Sequence, residues 1–101
     1  MDAVALLDRP TYGIAQAAGL LGLRPSRVRG WLDGYAVGGR TYAPVVRESP
    51  TGDDIVTWGE FIELGYLREY RSAVPLQRIR PVIERLRVTY RTNYPLAHAR
   101  P

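Results

Sequence analysis

The stretch Tyr12–Leu32, YGIAQAAGLLGLRPSRVRGWL, constrains the fold more than any other part of the chain. Ile14, Ala17, Ala18 and Leu21 recur at helical spacing, and Gly22 stands where a helix ends in a left-handed residue. Gly13 is placed to be the N-cap, with Gln16 three residues later at capping-box distance. Leu23 then plugs the core. Pro25 suits the first turn of a second helix, whose apolar stripe is Val28, Trp31 and Leu32, and Gly34 ends it. Residues 13–34 are therefore expected to form two short helices about a tight turn.

Each of these features has a physical reason. Ala17 and Ala18 are small enough for a second helix to cross closely. Gly22 tolerates the positive φ that the turn needs. Val28 and Trp31 turn one side of the second helix inward and leave the other side free. All of them fall at the spacing used by DNA-binding helix-turn-helices.

Charge supports that reading. The basic side chains are fourteen arginines and no lysine, against ten acids, for a net charge of +4. Arginine codons are GC-rich, so the arginine preference itself carries no function, but net positive charge favours a polyanionic partner. Arg24, Ser26, Arg27 and Arg29 lie in the first half of the second helix, with no acid before Asp33. The N-terminal part of a recognition helix meets base edges. Arg27 is assigned to base contact, Ser26 to base or phosphate, and Arg24 and Arg29 to phosphate.

Beyond Gly34, residues 35–40 read as a glycine-rich loop. Residues 41–47 and 54–57 are β-prone and flank the turn signal Glu48-Ser-Pro-Thr-Gly-Asp53, which predicts a β-hairpin with Pro44 on an edge strand. Thr57-Trp-Gly-Glu60 is a capping box opening a helix to about Arg71, with Trp58, Phe61, Ile62, Leu64 and Leu67 in its packing set. Ala73-Val74 is a break. Pro75 starts another helix, with Leu76, Ile79, Val82, Ile83 and Leu86 as its stripe. Pro81 within that stripe predicts a kink or a restart. Residues 1–12 read as a short lead-in, and after Tyr90 the chain is expected to run extended, since Tyr94-Pro95 disfavours helix before the proline.

Several function classes drop out. With 101 residues the chain amounts to about one domain. With no cysteine it has no disulfide, thiolate zinc site or thiol nucleophile, which fits a reducing, cytoplasmic setting. No apolar run is long enough for a membrane span, and the acid at Asp2 and short apolar run argue against a signal peptide. His98 is the only histidine and has no partner nearby in sequence. Asp53-Asp54 beside Gly52 read as turn residues rather than a metal site, and Glu60 as a cap. Tyr66 and Tyr70 share a helix face suited to packing. No acid–base or nucleophile constellation can be assembled, so neither an enzyme nor a cofactor is expected.

The order of two helices about a turn, hairpin, capped helix and further helix resembles the MerR-type winged helix-turn-helix. RVRGWLDGY resembles the end of that family's recognition helix, with Arg29 and Trp31 in place of its usual arginine–aromatic pair. TWGEFIELGYLREYRSAVPLQRIRPVIERLR resembles its helices after the wing. More narrowly, the chain is similar to the N-terminal DNA-binding domain of VapB-type antitoxins.

The resemblance implies a mainly α fold with a small β-hairpin wing over residues 1–92. Residues 93–101 would be a tail or linker towards a C-terminal domain outside this chain. Further implications are a homodimer on duplex operator DNA, autorepression of a toxin–antitoxin operon, and neutralisation of a VapC-like PIN-domain ribonuclease. Two departures stand out. Arg24 occupies the N-cap usually held by Ser or Thr, and the second wing strand begins with Asp53-Asp54, so wing contacts fall to Arg40 and Arg47. The long dimerisation helix of MerR regulators is absent or cut short. The alternatives are a MerR-like regulator with no toxin, or a protein-interaction module using Tyr66, Tyr70, Leu76 and Val82.

Overall fold

The computed structural model describes residues 6–98. In chain order they form strand β1 (Pro10–Gly13), helices α1 (Ile14–Leu21) and α2 (Pro25–Asp33), strands β2 (Tyr35–Val37), β3 (Arg40–Tyr42) and β4 (Ile55–Thr57), and helices α3 (Trp58–Arg71), α4 (Leu76–Tyr90) and α5 (Pro95–His98). The fold is mainly α with a small β part. Among the described residues no helix is long and apolar enough to cross a membrane.

The α1–α2 corner forms as its residues dictate. Gly22 takes φ 68° and ψ 31° at the end of α1. The Leu23 amide donates to the Ala18 carbonyl at 2.9 Å, and the Gly22 amide to the Gly19 carbonyl at 3.3 Å, the paired bonds of a Schellman ending. Arg68 of α3 adds a cation there by donating to the Leu21 carbonyl at 2.8 Å. Ala17, Ala18, Val28 and Leu32 are fully enclosed, and Leu23 is half-buried against the same core. Gly13 is the N-cap of α1, but no side-chain hydrogen bond closes there.

The strands lie elsewhere than expected. The hairpin is β2–β3, pairing Tyr35 with Tyr42 and Val37 with Arg40. Gly38 and Gly39 close it, both at positive φ (56° and 77°), as a two-residue turn matched to strand twist requires. Residues 35–40, expected as loop, thus supply one strand and the turn. Ile55–Thr57 pairs not with 41–47 but with β1, antiparallel, with Tyr12 opposite Val56. The expected lead-in therefore ends in a strand. Residues 45–47 are drawn inward instead: the Val45 and Val46 amides both donate to the Trp31 carbonyl at 2.9 Å, and both side chains are buried. Their β-branched character serves packing, not strand pairing.

The capping box opening α3 is complete. The Glu60 amide donates to the Thr57 hydroxyl at 3.1 Å, and the Thr57 amide to the Glu60 carboxylate at 3.0 Å. Leu64 and Leu67 are fully buried, facing Ile79 and Ile83 of α4 in one core. Pro81 neither ends nor restarts α4, which runs through it as a single helix. The proline leaves the Gln77 carbonyl without its helical donor, and Gln77 is exposed, so water can serve it.

The extended tail expected over 93–101 does not hold through His98. Pro95 occupies the first position of α5, and Tyr94, Pro95 and Leu96 are buried. Glu63 of α3 accepts from the Leu96 amide at 3.0 Å and the Ala97 amide at 2.7 Å, so a carboxylate satisfies the opening amides of α5. The Tyr94 ring lies over Gly59, where a Cβ would stand 2.5 Å from it. Residues 99–101 lie outside the described part.

Candidate nucleic-acid interface

The buried stripe of α2 decides what its other side presents. Val28, Trp31 and Leu32 face the core, while Arg24, Ser26, Arg27 and Arg29 are exposed. Arg24 is the N-cap, extended at φ −74° and ψ 142°, and makes no side-chain cap, so its guanidinium is free to reach outward. Pro25 opens the helix proper.

These side chains do not share one surface. Arg24, Ser26 and Arg27 line an open cleft of about 500 Å³ between α2, Tyr35 of the hairpin, and the α3–α4 junction. Arg27 sits with its guanidinium carbon 5.9 Å from the Trp31 ring centroid, within cation–π range. Arg29 turns away and donates to the Asp54 carboxylate at 2.7 Å, a pair in which both side chains are well exposed.

Arg71, at the end of α3, also lines the cleft, so three cations converge there from two helices. Sequence reading missed it. Its only local signal was its place in the last turn of α3, where a cation suits the helix dipole. Its nearness to Arg24 depends on how α3 packs against α2.

The hairpin stands directly after α2. Gly34 makes the sharp corner at φ 86°, and a Cβ there would lie 2.5 Å from the Tyr42 carbonyl oxygen. Tyr35 and Tyr42 stack across the hairpin with centroids 4.8 Å apart and planes 19° from parallel. The Tyr35 ring rests on α2 beside Gly30, where a Cβ would make ordinary contact with it at 3.4 Å. Arg40 opens β3 and is exposed.

Arg47 is not an interface residue, contrary to expectation. It is 8% exposed and occupies a closed polar centre. Its Nε donates to Glu60 at 2.7 Å. Its Nη1 donates to Asp33 at 2.8 Å, to the Thr51 hydroxyl at 2.8 Å and to the Asp53 carbonyl at 3.1 Å. Its Nη2 reaches the Ile55 carbonyl at 3.2 Å. This one guanidinium ties the end of α2, the 48–55 loop and the start of α3 together.

Burial acts to lower its pKa, but hydrogen bonds to Glu60 and Asp33 and their charges overcome that and raise it. Burial likewise pushes Asp33 up. The Thr51 amide, the Arg47 guanidinium and the Gly52 amide more than offset this and hold the carboxyl below its usual value. Asp53 accepts from the Ile55 amide at 2.9 Å, a turn role, and Asp54 is the partner of Arg29. His98 lies against the Tyr90 ring, with centroids 4.5 Å apart.

The chain is similar to the uncharacterized protein Rv2308 of Mycobacterium tuberculosis (strain ATCC 25618 / H37Rv). The two are 42% identical over 103 residues, a match that takes in all of this chain and 43% of that protein. The chain thus spans less than half the length of that relative. No protein-family model and no solved structure matches the chain.

Proposed function

We propose that this chain is a sequence-specific duplex-DNA-binding domain of winged helix-turn-helix type. In this reading α2 is the recognition helix and the β2–β3 hairpin the wing. The observation that carries it is the convergence of Arg24, Arg27 and Arg71 on one open cleft beside the outward face of α2. Ser26 and Arg27 read base edges, and Arg24, Arg29, Arg40 and Arg71 hold phosphates. The cleft's lining residues include no acid, so nothing in its walls opposes a polyanion.

From the resemblance to MerR-like antitoxin heads we further propose a homodimeric, cytoplasmic repressor of its own operon that also neutralises a PIN-domain ribonuclease. Co-expression with the product of the neighbouring reading frame tests that part: a stable complex with suppressed RNA cleavage is expected. An unrelated neighbour would leave a regulator without a toxin.

The DNA reading is tested by fluorescence anisotropy on duplexes from the chain's own promoter over a salt series. The four phosphate contacts of each chain give log K falling with log salt at a slope of roughly −3 to −4 per chain. Substituting Arg27 should cost about 1–3 kcal/mol and relax preference at one base pair. Affinity that ignores salt, or survives loss of Arg27 and Arg29 together, overturns the reading.

A further inference from the structure

Away from the arginine cleft, α4 forms an apolar groove of about 240 Å³ with the end of α3, the turn after it and Leu96 of α5. Ile79, Ile83 and Leu96 form its floor, and Tyr70, Val74 and Val82 its walls. The walls are exposed by 42%, 36% and 55% respectively, which is high for apolar side chains set side by side. The groove follows the axis of α4, because Ile79, Val82, Ile83 and Leu86 lie at helical spacing. Such a furrow accepts the ridge of another helix.

The charges beside it select the occupant. Arg78, Val82 and Arg85 form one row along α4 at i, i+4 and i+7. Both arginines are exposed, and neither forms an ion pair among the described residues. The nearby acids are engaged elsewhere: Glu69 with Arg68 and Glu84 with Arg87, each at 2.7 Å. A second copy docked through the same face would set arginine against arginine in either orientation.

We infer that this groove is a docking site for an acidic amphipathic helix of a partner protein. The apolar edge of that helix covers Val82 and Tyr70, and its glutamates or aspartates pair with Arg78 and Arg85. The inference stands independently of DNA binding, because none of the groove's residues lines the arginine cleft.

The test uses the whole chain and a labelled synthetic helix of about 15 residues, with leucines at i, i+3, i+4 and i+7 and flanking glutamates. A second peptide has lysine at each glutamate. Saturable binding of the glutamate peptide is expected, with the lysine peptide weaker by about tenfold or more. Val82→Glu should abolish binding, and Arg78→Glu should erase the peptide preference, since one acid then stands beside the remaining Arg85. Both positions are exposed, so melting temperatures should stay near that of the parent chain. DNA affinity of Val82→Glu should match the parent, which separates this site from the cleft. Equal binding of the two peptides, binding that survives Val82→Glu, or a dimer of the chain that Val82→Glu dissociates would each overturn the inference.

Discussion

Arg29 donates to the Asp54 carboxylate at 2.7 Å, linking the outward side of α2 to the segment entering β4. A pair this exposed adds little stability, on the order of 0.2–1 kcal/mol. It does place a negative charge beside a cation assigned to phosphate. Asp54→Asn should therefore leave the melting temperature nearly unchanged and tighten DNA binding several-fold. The salt slope should change by less than one contact, since Arg29 already counts among the phosphate contacts. Anisotropy titrations at two ionic strengths check both.

Arg47 is expected to behave in the opposite way. Arg47→Met leaves Asp33 and Glu60 partly enclosed with no cation between them. The loss should be about 3–5 kcal/mol of folding stability, read from urea unfolding. At temperatures where the variant remains folded, its DNA salt slope should equal that of the parent chain.

Glu63 gives a pH dependence with a definite sign. Burial pushes its carboxyl up to about 7, against the Leu96 and Ala97 amides and the Arg87 charge, which act to lower it. A folded value above the ordinary 4.5 favours the protonated form in the folded chain. Its contribution to stability is full below pH 4.5 and is lost as pH rises through about 7. Urea midpoints of the parent chain, measured relative to Glu63→Gln, should fall across that window. Parallel curves would show that Glu63 stays ionised throughout.

Gly34 and Gly38 should respond differently to side chains. Gly34→Ala combines positive φ with a clash on the Tyr42 carbonyl, and should cost about 3 kcal/mol and displace the hairpin. Gly38 also has positive φ (56°), but no atom lies within 4 Å of a built Cβ. Gly38→Asn should be nearly neutral, since asparagine suits such turns. Thermal melts of the two variants make the comparison.

The elements legible in the sequence were those held by local rules. The α1–α2 corner follows from Gly22 and two apolar stripes, and the start of α3 from Thr57 and Glu60. What was not legible depends on partners distant in the chain. Arg47 looked like a solvent-facing wing cation because Asp33 and Glu60 are 14 and 13 residues away. The α5 segment is too short to announce itself, and is held by Glu63 and by the Tyr94 hydroxyl donating to Asp8 at 2.6 Å. Within the candidate site, the outward positions on α2 could be read from its stripe. Arg71 could not, because its nearness to Arg24 is created only when α3 folds back.

The polar centre around Arg47 has a consequence for how this chain tolerates substitution. Exposed arginines such as Arg24, Arg40, Arg78 and Arg85 could be exchanged for lysine with little effect on the fold, since a solvated positive charge is all that their surroundings ask of them. At position 47 three nitrogens spread over a rigid plane serve acceptors on five different residues at once. A lone ammonium on a flexible stem has too few hydrogens, pointing in the wrong directions, to replace them. The exchange that conserves charge most faithfully would there unfasten three parts of the backbone together.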